Sequence, residues 1–295
     1  MKILLFGANG QLGTAFRALA ASEAFPLGWT LRPVDSNECD LANSGDVRAV
    51  LERENPDLVV NAAAYTAVDL AETERDRCEA VNTLAPGLMG AFCRERGIPL
   101  VHYSSDYVYS GDGAGARDEQ EPVAPLNFYG ASKARGDQAV IESGCEHLIF
   151  RTSWVFSHTG KNFVKTMLKI GASRRELRVV DDQTGSPTYA PDLAKCSLEA
   201  LMRALEATAV GKAFPSGVYH LANTGFTSWA GFARAILPSH HVSGIPSSEY
   251  PTPARRPLNS RLSLSRFVNT FGVHPRPWQE ALADCLKALK ENPDG

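Results

Sequence analysis

Tyr129 and Lys133 lie four residues apart in the stretch Phe128-Tyr129-Gly130-Ala131-Ser132-Lys133. On a helix that spacing puts both side chains on one face, one turn apart. An ammonium beside a phenol favours the ionised phenolate, which would make Tyr129 a usable proton donor or acceptor near neutral pH. Ser105 precedes Tyr129 by about 24 residues, at the end of the apolar run Leu100 to Tyr103. A hydroxyl at a strand's carboxyl edge can share a pocket with such a pair and donate a hydrogen bond to a carbonyl. The spacing is equally that of a plain surface helix, so the decision rests on the elements around it.

Those elements begin at the first residue. Ile3 to Phe6 reads as a short apolar strand, Gly7-Ala8-Asn9-Gly10-Gln11-Leu12-Gly13 as a glycine-rich turn, and Thr14 to Ala21 as a helix. Strand, glycine turn and helix in that order are the context of a dinucleotide fingerprint, with the helix N-terminus facing a pyrophosphate. A tight turn without a ligand has the same pattern. Leu31 to Val34 is a second strand ending at Asp35, which lies 22 residues after Gly13, near where a ribose-binding carboxylate is expected. Asp40-Leu41 would flank an adenine. Ser44 is the expected cap of a helix over Asp46 to Asn55. Leu58 to Asn61 is the third strand, and the small residues Ala62-Ala63-Ala64, with Tyr65-Thr66, follow at its carboxyl end, where an open α/β sheet binds ligands. A small-residue turn packed on a helix is the alternative there.

Glu72 to Gly97 reads as a long helical stretch kinked or split at Pro86, with Glu72, Glu74 and Asp76 on a solvated face and Asn82 either bracing the site or packing. Gly111 to Pro125 must be a loop. The helix near Tyr129 runs to Ser143, and Leu148 to Arg151 is the next strand. Asn162 is placed to cap the helical run Phe163 to Ile170. Leu177 to Val180 and Gly217 to Leu221 are strands, and Asp192 to Ala207 is a helix. His240-His241 falls in a loop without metal-ligand spacing. Trp278 to Lys290 is an amphipathic helix.

The 295 residues, with a net charge of −3, give no reason to expect a nucleic-acid or membrane partner. Six cysteines without a C-x-x-C pair read as buried thiols of a reducing compartment. No apolar run has the length of a signal peptide or a membrane span, so the expected location is the cytoplasm.

Several segments together carry a resemblance. They are GANGQLG at 7–13, Asn61 to Asp69, Ser104-Ser105-Asp106-Tyr107-Val108, Tyr129 to Lys133, Arg151-Thr152-Ser153-Trp154-Val155-Phe156, Asp182 to Thr188 and Arg256-Pro257-Leu258-Asn259-Ser260. The chain resembles the extended short-chain dehydrogenases/reductases acting on nucleotide sugars, and more closely the dTDP-4-dehydrorhamnose reductases. The resemblance implies a Rossmann-like doubly wound parallel sheet over residues 1–152 and a smaller α/β substrate-binding domain over 153–295, with the helix near 189–209 returning to the first. It implies catalysis by Ser105, Tyr129 and Lys133. NADPH or NADH would lie along Gly7, Gly10, Gln11, Leu12, Gly13, Asp35, Asp40, Leu41, Ala62 to Thr66, Tyr129 and Lys133. Arg32 would offset the repulsion of a 2′-phosphate by Asp35. A dTDP-sugar would meet Ser105, Asp106, Trp154, Asn162, Gln183 and Arg256, the arginine touching phosphate or standing in a solvated basic turn.

Some relatives dimerise through a metal held by acids. The matching positions here are Ala15 and Pro191, which cannot ligate through side chains, so a monomer or weak homodimer without metal is expected. Two rival roles remain: a cofactor-binding regulatory subunit without turnover, and an epimerase or dehydratase of the same fold. The intact Ser105, Tyr129 and Lys133 argue against the first. Tyr107, where a dehydratase carries a glutamate base, argues against elimination.

Overall fold

The computed structural model describes residues 1–291. The described elements, in chain order, begin with β1 (Lys2–Phe6), α1 (Gln11–Ala20), β2 (Thr30–Val34), α2 (Ser44–Glu54), β3 (Leu58–Asn61), α3 (Arg75–Glu79), α4 (Ala85–Arg96), β4 (Leu100–Ser105), α5 (Phe128–Ser143) and β5 (His147–Thr152). The chain continues through β6 (Val155–Phe156), α6 (Phe163–Gly171), β7 (Glu176–Val180), β8 (Thr184–Gly185), β9 (Thr188–Tyr189) and α7 (Ala190–Ala209). It ends with β10 (Gly217–His220), β11 (Thr227–Ser228), α8 (Trp229–Ile236), β12 (His241–Ile245), β13 (Asn259–Ser260), α9 (Ser265–Phe271) and α10 (Trp278–Glu291).

Six strands form one parallel sheet in the order β10-β5-β4-β3-β1-β2. From β1 the chain steps outward to β2, then returns to the other side of β1 for β3. That reversal opens a crevice at the carboxyl ends of β1 and β3, where doubly wound sheets bind ligands. Both faces of the sheet are covered, so its strands are apolar almost throughout. The side chains of Ile3, Leu5, Leu58, Val60, Val101, Tyr103, Leu148 and Phe150 join a core with α1, α7 and α9. Leu4, Phe6, Val59, Leu100 and Ile149 join a second core with α2, α4 and α5.

On that second face the period-two alternation brings up three polar residues near the strand ends: Asn61, His102 and Arg151, all buried. Asn61 is directly opposite His102 in the β3–β4 register, and Arg151 is opposite Ser104. α5 lies over them.

The later part of the chain returns to this sheet more than once. α7 packs on α1, as the sequence suggests. β10 also pairs with β5, and α9 packs on β10, so these later elements extend the first sheet. The remaining strands form a three-stranded sheet β11-β8-β13 and the pairs β12-β7 and β6-β9 around an aromatic core of Phe156, Tyr189, Phe232 and Trp278. His241 opens β12 where a loop is expected.

Two helix starts differ from expectation. The cap of α2 is Asn43, whose Oδ1 accepts from the Gly45 amide, and Ser44 is the first helical residue. Both residue types cap well, so sequence does not choose between neighbours. The stretch from Glu72 divides into a 3-10 turn at Leu70–Glu72, α3, a π-turn at Ala80–Leu84 and α4. The break comes one turn before Pro86, which sits in the first turn of α4 where its missing N–H costs nothing.

Candidate active site

The glycine turn after β1 is built for close approach. A Cβ at Gly13 would run into the Gly7 carbonyl oxygen. Gly10 gives α1 no side-chain cap, so the first amides of the helix are left to a ligand. An amide cradle that glycine alone leaves open fits a dinucleotide pyrophosphate. Gln11 and Leu12 begin α1 over this turn. The turn abuts the backbone of Ala62 and Ala63.

Asn82, on the π-turn, clamps the next residues. Its Oδ1 accepts from the Tyr65 amide at 2.9 Å, while its Nδ2 donates to the Tyr65 carbonyl at 3.1 Å and to Ser132 Oγ at 3.0 Å. Asn82 therefore braces the strip Ala62 to Thr66 against α5. The Tyr65 hydroxyl donates to Glu74, which with burial pushes its pKa up to about 12.

Asp35 accepts from Asn9 Nδ2 at 2.8 Å and from the Asn37 amide at 2.9 Å, and these bonds hold its pKa below the usual carboxylate value. The expected role of Arg32 does not hold: its guanidinium is taken by Glu38 and Glu54. Arg17 on α1 is the cation whose charge reaches Asp35, and it donates to Asn9 Oδ1 at 3.4 Å. Asp40 accepts from the Ala42 amide and pairs with Arg77, and Leu41 packs partly buried on the second core.

α5 starts under strict control. Asn127 Oδ1 accepts from the Gly130 amide at 2.8 Å, and Glu72 Oε1 accepts from the Phe128 amide at 2.8 Å. Glu72 is thus a cap in trans, not part of a solvated face. A Cβ at Gly130 would collide with the Tyr107 carbonyl oxygen, so only glycine lets the first turn of α5 close on the segment after β4. This contact places Tyr129 against Tyr107, rings edge to face with centroids 5.6 Å apart.

Ser105 lies near enough to Tyr129 to favour its ionised form against the burial that opposes it. The Ser105 hydroxyl donates to Asp106 Oδ1 at 3.1 Å and accepts from the Tyr107 amide at 3.2 Å. Burial drives the Asp106 carboxyl up to about 7, and its Oδ2 is buried without a hydrogen-bond partner.

Lys133 is 1% exposed. Its Nζ donates to the Tyr103 carbonyl at 2.6 Å and lies 3.4 Å from His102 Nε2. Burial lowers its pKa to about 8. The expected shift of Tyr129 toward phenolate is absent: burial raises the tyrosine pKa instead, opposed by Ser105. Desolvation penalises both charged forms, and the ammonium is turned to a backbone carbonyl.

The later residues gather around an aromatic stack. Trp154 has φ +48°, a left-handed backbone rare for a bulky residue. Its ring lies flat on Trp229, centroids 3.6 Å apart. Gln183 is committed to holding that stack: its Oε1 accepts from Trp229 Nε1 at 3.1 Å and its Nε2 donates to Ser247 Oγ at 2.9 Å. Asn162 caps α6 through the Lys165 amide and also donates to Gln11 Oε1 at 2.9 Å, tying α6 to the glycine turn. Arg256 pairs with Asp69 at 2.9 Å, so the basic turn is latched onto the segment after β3.

Tyr129 thus packs on the segment that follows Ser105, with Lys133 one turn further along α5 and bonded to the strand that ends in Ser105, while the glycine turn abuts the strip after β3. Trp229 and Arg17 escape the sequence reading, since what each touches is set by the fold.

The chain matches the family model described as the RmlD substrate binding domain over residues 1–291. It is 43% identical over 302 residues to a dTDP-4-dehydrorhamnose reductase of Burkholderia thailandensis, covering 98% of this chain and 99% of that one. The crystal structure of a dTDP-4-dehydrorhamnose reductase from Clostridium acetobutylicum superposes with a TM-score of 0.89 at 32% identity, over 98% of this chain and 100% of that one. A dTDP-4-dehydrorhamnose reductase from Bacillus anthracis, solved in complex with NADP, gives a TM-score of 0.85 at 34% identity over 97% and 99% of the two chains. The chain therefore belongs to the dTDP-4-dehydrorhamnose reductase family.

Proposed function

We propose that this chain reduces the C4 ketone of dTDP-4-dehydro-β-L-rhamnose to dTDP-β-L-rhamnose with NADPH or NADH, the last step of dTDP-rhamnose synthesis, through Ser105, Tyr129 and Lys133. The observation that carries these roles is the half-buried Tyr129 in the first turn of α5, packed edge to face on Tyr107 just after Ser105, with the buried Lys133 one turn further on the same helix face. The dihydronicotinamide supplies the hydride. Ser105 holds the carbonyl oxygen, and Tyr129 donates the proton that the developing alkoxide takes up. A phenol kept protonated by burial is the right form for a donor. Lys133 binds the nicotinamide ribose and stabilises the charge left on Tyr129. The amides at the start of α1 take the pyrophosphate, and Asp35 takes the adenosine ribose.

On the sugar side, Asp106 meets the hydroxyls and the Trp154–Trp229 stack provides an apolar wall. Asn162 and Arg256 stand where a diphosphate would pass, and Gln183 acts by orienting Trp229. We infer that the six-stranded sheet with α7 and α9 serves the cofactor and that the rest of 153–295 serves the sugar nucleotide. Among the described residues no helix is long and apolar enough to cross a membrane. A cytoplasmic monomer or weak homodimer is the state we propose: Ala15, at one of the two metal positions, is buried in the core beneath α7.

Tyr107 supports reduction over elimination. Desolvation and the neighbouring Asp106 raise its pKa and keep it neutral, a poor base for a carbon-bound proton. Purified protein should oxidise one NADPH per dTDP-4-dehydro-L-rhamnose with no partner added. Tightly held NAD⁺, with conversion of dTDP-glucose to a 4-keto sugar, would overturn the assignment. A requirement for a second protein would favour the regulatory reading.

A further inference from the structure

Beneath Lys133 lies a polar layer that none of the roles above uses. Asp137 follows Lys133 by four residues on α5, so Tyr129, Lys133 and Asp137 form one stripe of the helix. Asp137 is 2% exposed. Its Oδ2 accepts from Arg151 Nε at 2.9 Å, while its Oδ1 is buried without a hydrogen-bond partner. Arg151 is itself fixed: its Nη1 donates to the Tyr109 hydroxyl at 2.8 Å, and that hydroxyl contacts His220 Nε2 at 2.6 Å.

The tautomer of His102 follows from its neighbours. Asn61 Oδ1 accepts from the Ala63 amide, so its Nδ2 faces His102 Nδ1 at 3.1 Å and must donate to it. The proton of the neutral ring is then on Nε2, which lies 4.0 Å from Asp137 Oδ1 and 3.4 Å from Lys133 Nζ. An N–H cannot accept from the ammonium. Lys133 is left with the Tyr103 carbonyl as a direct acceptor and needs a counter-charge.

We infer that Asp137 is that counter-charge, a positioning residue one helix turn from Lys133 that holds it in its charged form through space and not by a direct ion pair, with Arg151 fixing the carboxylate. This rests on the reading that Lys133 binds the cofactor. The other groups facing Lys133 supply no negative charge. His102, on β4, is held neutral by burial and by Lys133 itself. The Cys78 thiol, from α3, is pushed up by burial, and so is Tyr129 on α5. Arg151, on β5, reaches Lys133 through Asp137, with Tyr109 and His220 beyond it. Asp137 raises the Lys133 pKa against the burial that lowers it.

The sign is testable. Charged Lys133 is present below its pKa, so cofactor affinity is lost as pH rises through it. Asp137→Asn removes the carboxylate and leaves the Arg151 charge, which should move the alkaline limb of NADPH binding down by about one to two pH units. Arg151→Gln should move it up, and Asp137→Glu should leave it in place. The dissociation constant is read by cofactor fluorescence from pH 6 to 10, with kcat/KM alongside. A merely structural role would lower the Tm of both variants and leave the limb unmoved, or move it the same way in both. Either result overturns the inference, as does a wild-type protein with no alkaline limb. Should Asp137→Asn not fold, Arg151→Gln alone decides by direction. Failure of the wild-type protein to reduce the keto sugar would instead overturn the proposed reaction, because the binding limb is read without turnover.

Discussion

The Tyr129–Lys133 region and the Trp154–Trp229 region flank the same crevice and are held by different forces. Around Tyr129 the side chains are buried polar groups joined by directed bonds: Asn82 to Tyr65 and Ser132, Ser105 to Asp106, Lys133 to Tyr103, Asp137 to Arg151. Around Trp154 the contacts are ring on ring, from Trp229 to Phe163 and on to Phe232. A buried polar network costs free energy if one bond is left unmade, so it specifies one arrangement. An aromatic stack loses little when its rings slide, so it can admit a flat or apolar ligand face. The proposed proton donor sits on the first, and the proposed sugar-nucleotide wall on the second.

The contrast breaks first at Tyr129. Tyr129→Phe removes the proton donor and keeps the ring against Tyr107. Turnover should fall by about 10²- to 10⁴-fold with NADPH affinity near that of the parent. Steady-state kinetics with a cofactor titration decides it, and near-parental kcat would take Tyr129 out of the mechanism.

A smaller effect is expected on the aromatic side. Trp229→Ala deletes the partner of the strained Trp154, and an aromatic pair is worth about 0.5–1.5 kcal/mol beyond its buried area. KM for the sugar nucleotide should rise about two- to tenfold with kcat little changed. A fall in kcat with constant KM would mean that the stack belongs to the chemistry and that the two regions are not distinct.

A third effect, of similar size but confined to one cofactor, concerns cofactor choice. Arg17 is a cation whose charge reaches Asp35, with the Asn9 side chain bonded to both. Arg17→Ala should weaken NADPH by about tenfold, one charge-assisted contact, and leave NADH within about twofold. Equal losses for both cofactors would assign Arg17 to the fold alone.

What could be read from the residues was local. The glycine turn, the Tyr129–Lys133 spacing and the Asn162 cap are decided within a few positions, and the structure has them. Contacts set by sheet register were not legible. Arg151 reads as the end of an apolar strand, and only the parallel pairing of β4 with β5 brings it and His102 to one face under α5. Trp229 is 75 residues from Trp154, and nothing in either neighbourhood announces the stack. Arg32 misleads for a related reason: it lies near Asp35 in sequence, yet Glu54 on α2 and Glu38 claim it.

The place of β10 has a consequence for how the chain is made. β5 ends at Thr152, and the strand that covers its open edge begins at Gly217. During synthesis at about 5–20 residues per second, that edge stays unpaired for several seconds or more after β5 leaves the ribosome. An uncovered parallel edge is a template for pairing with other chains. A fragment cut after residue 152 would carry the whole glycine turn and the Tyr-Lys helix and still present that edge, so it should aggregate where the full chain does not.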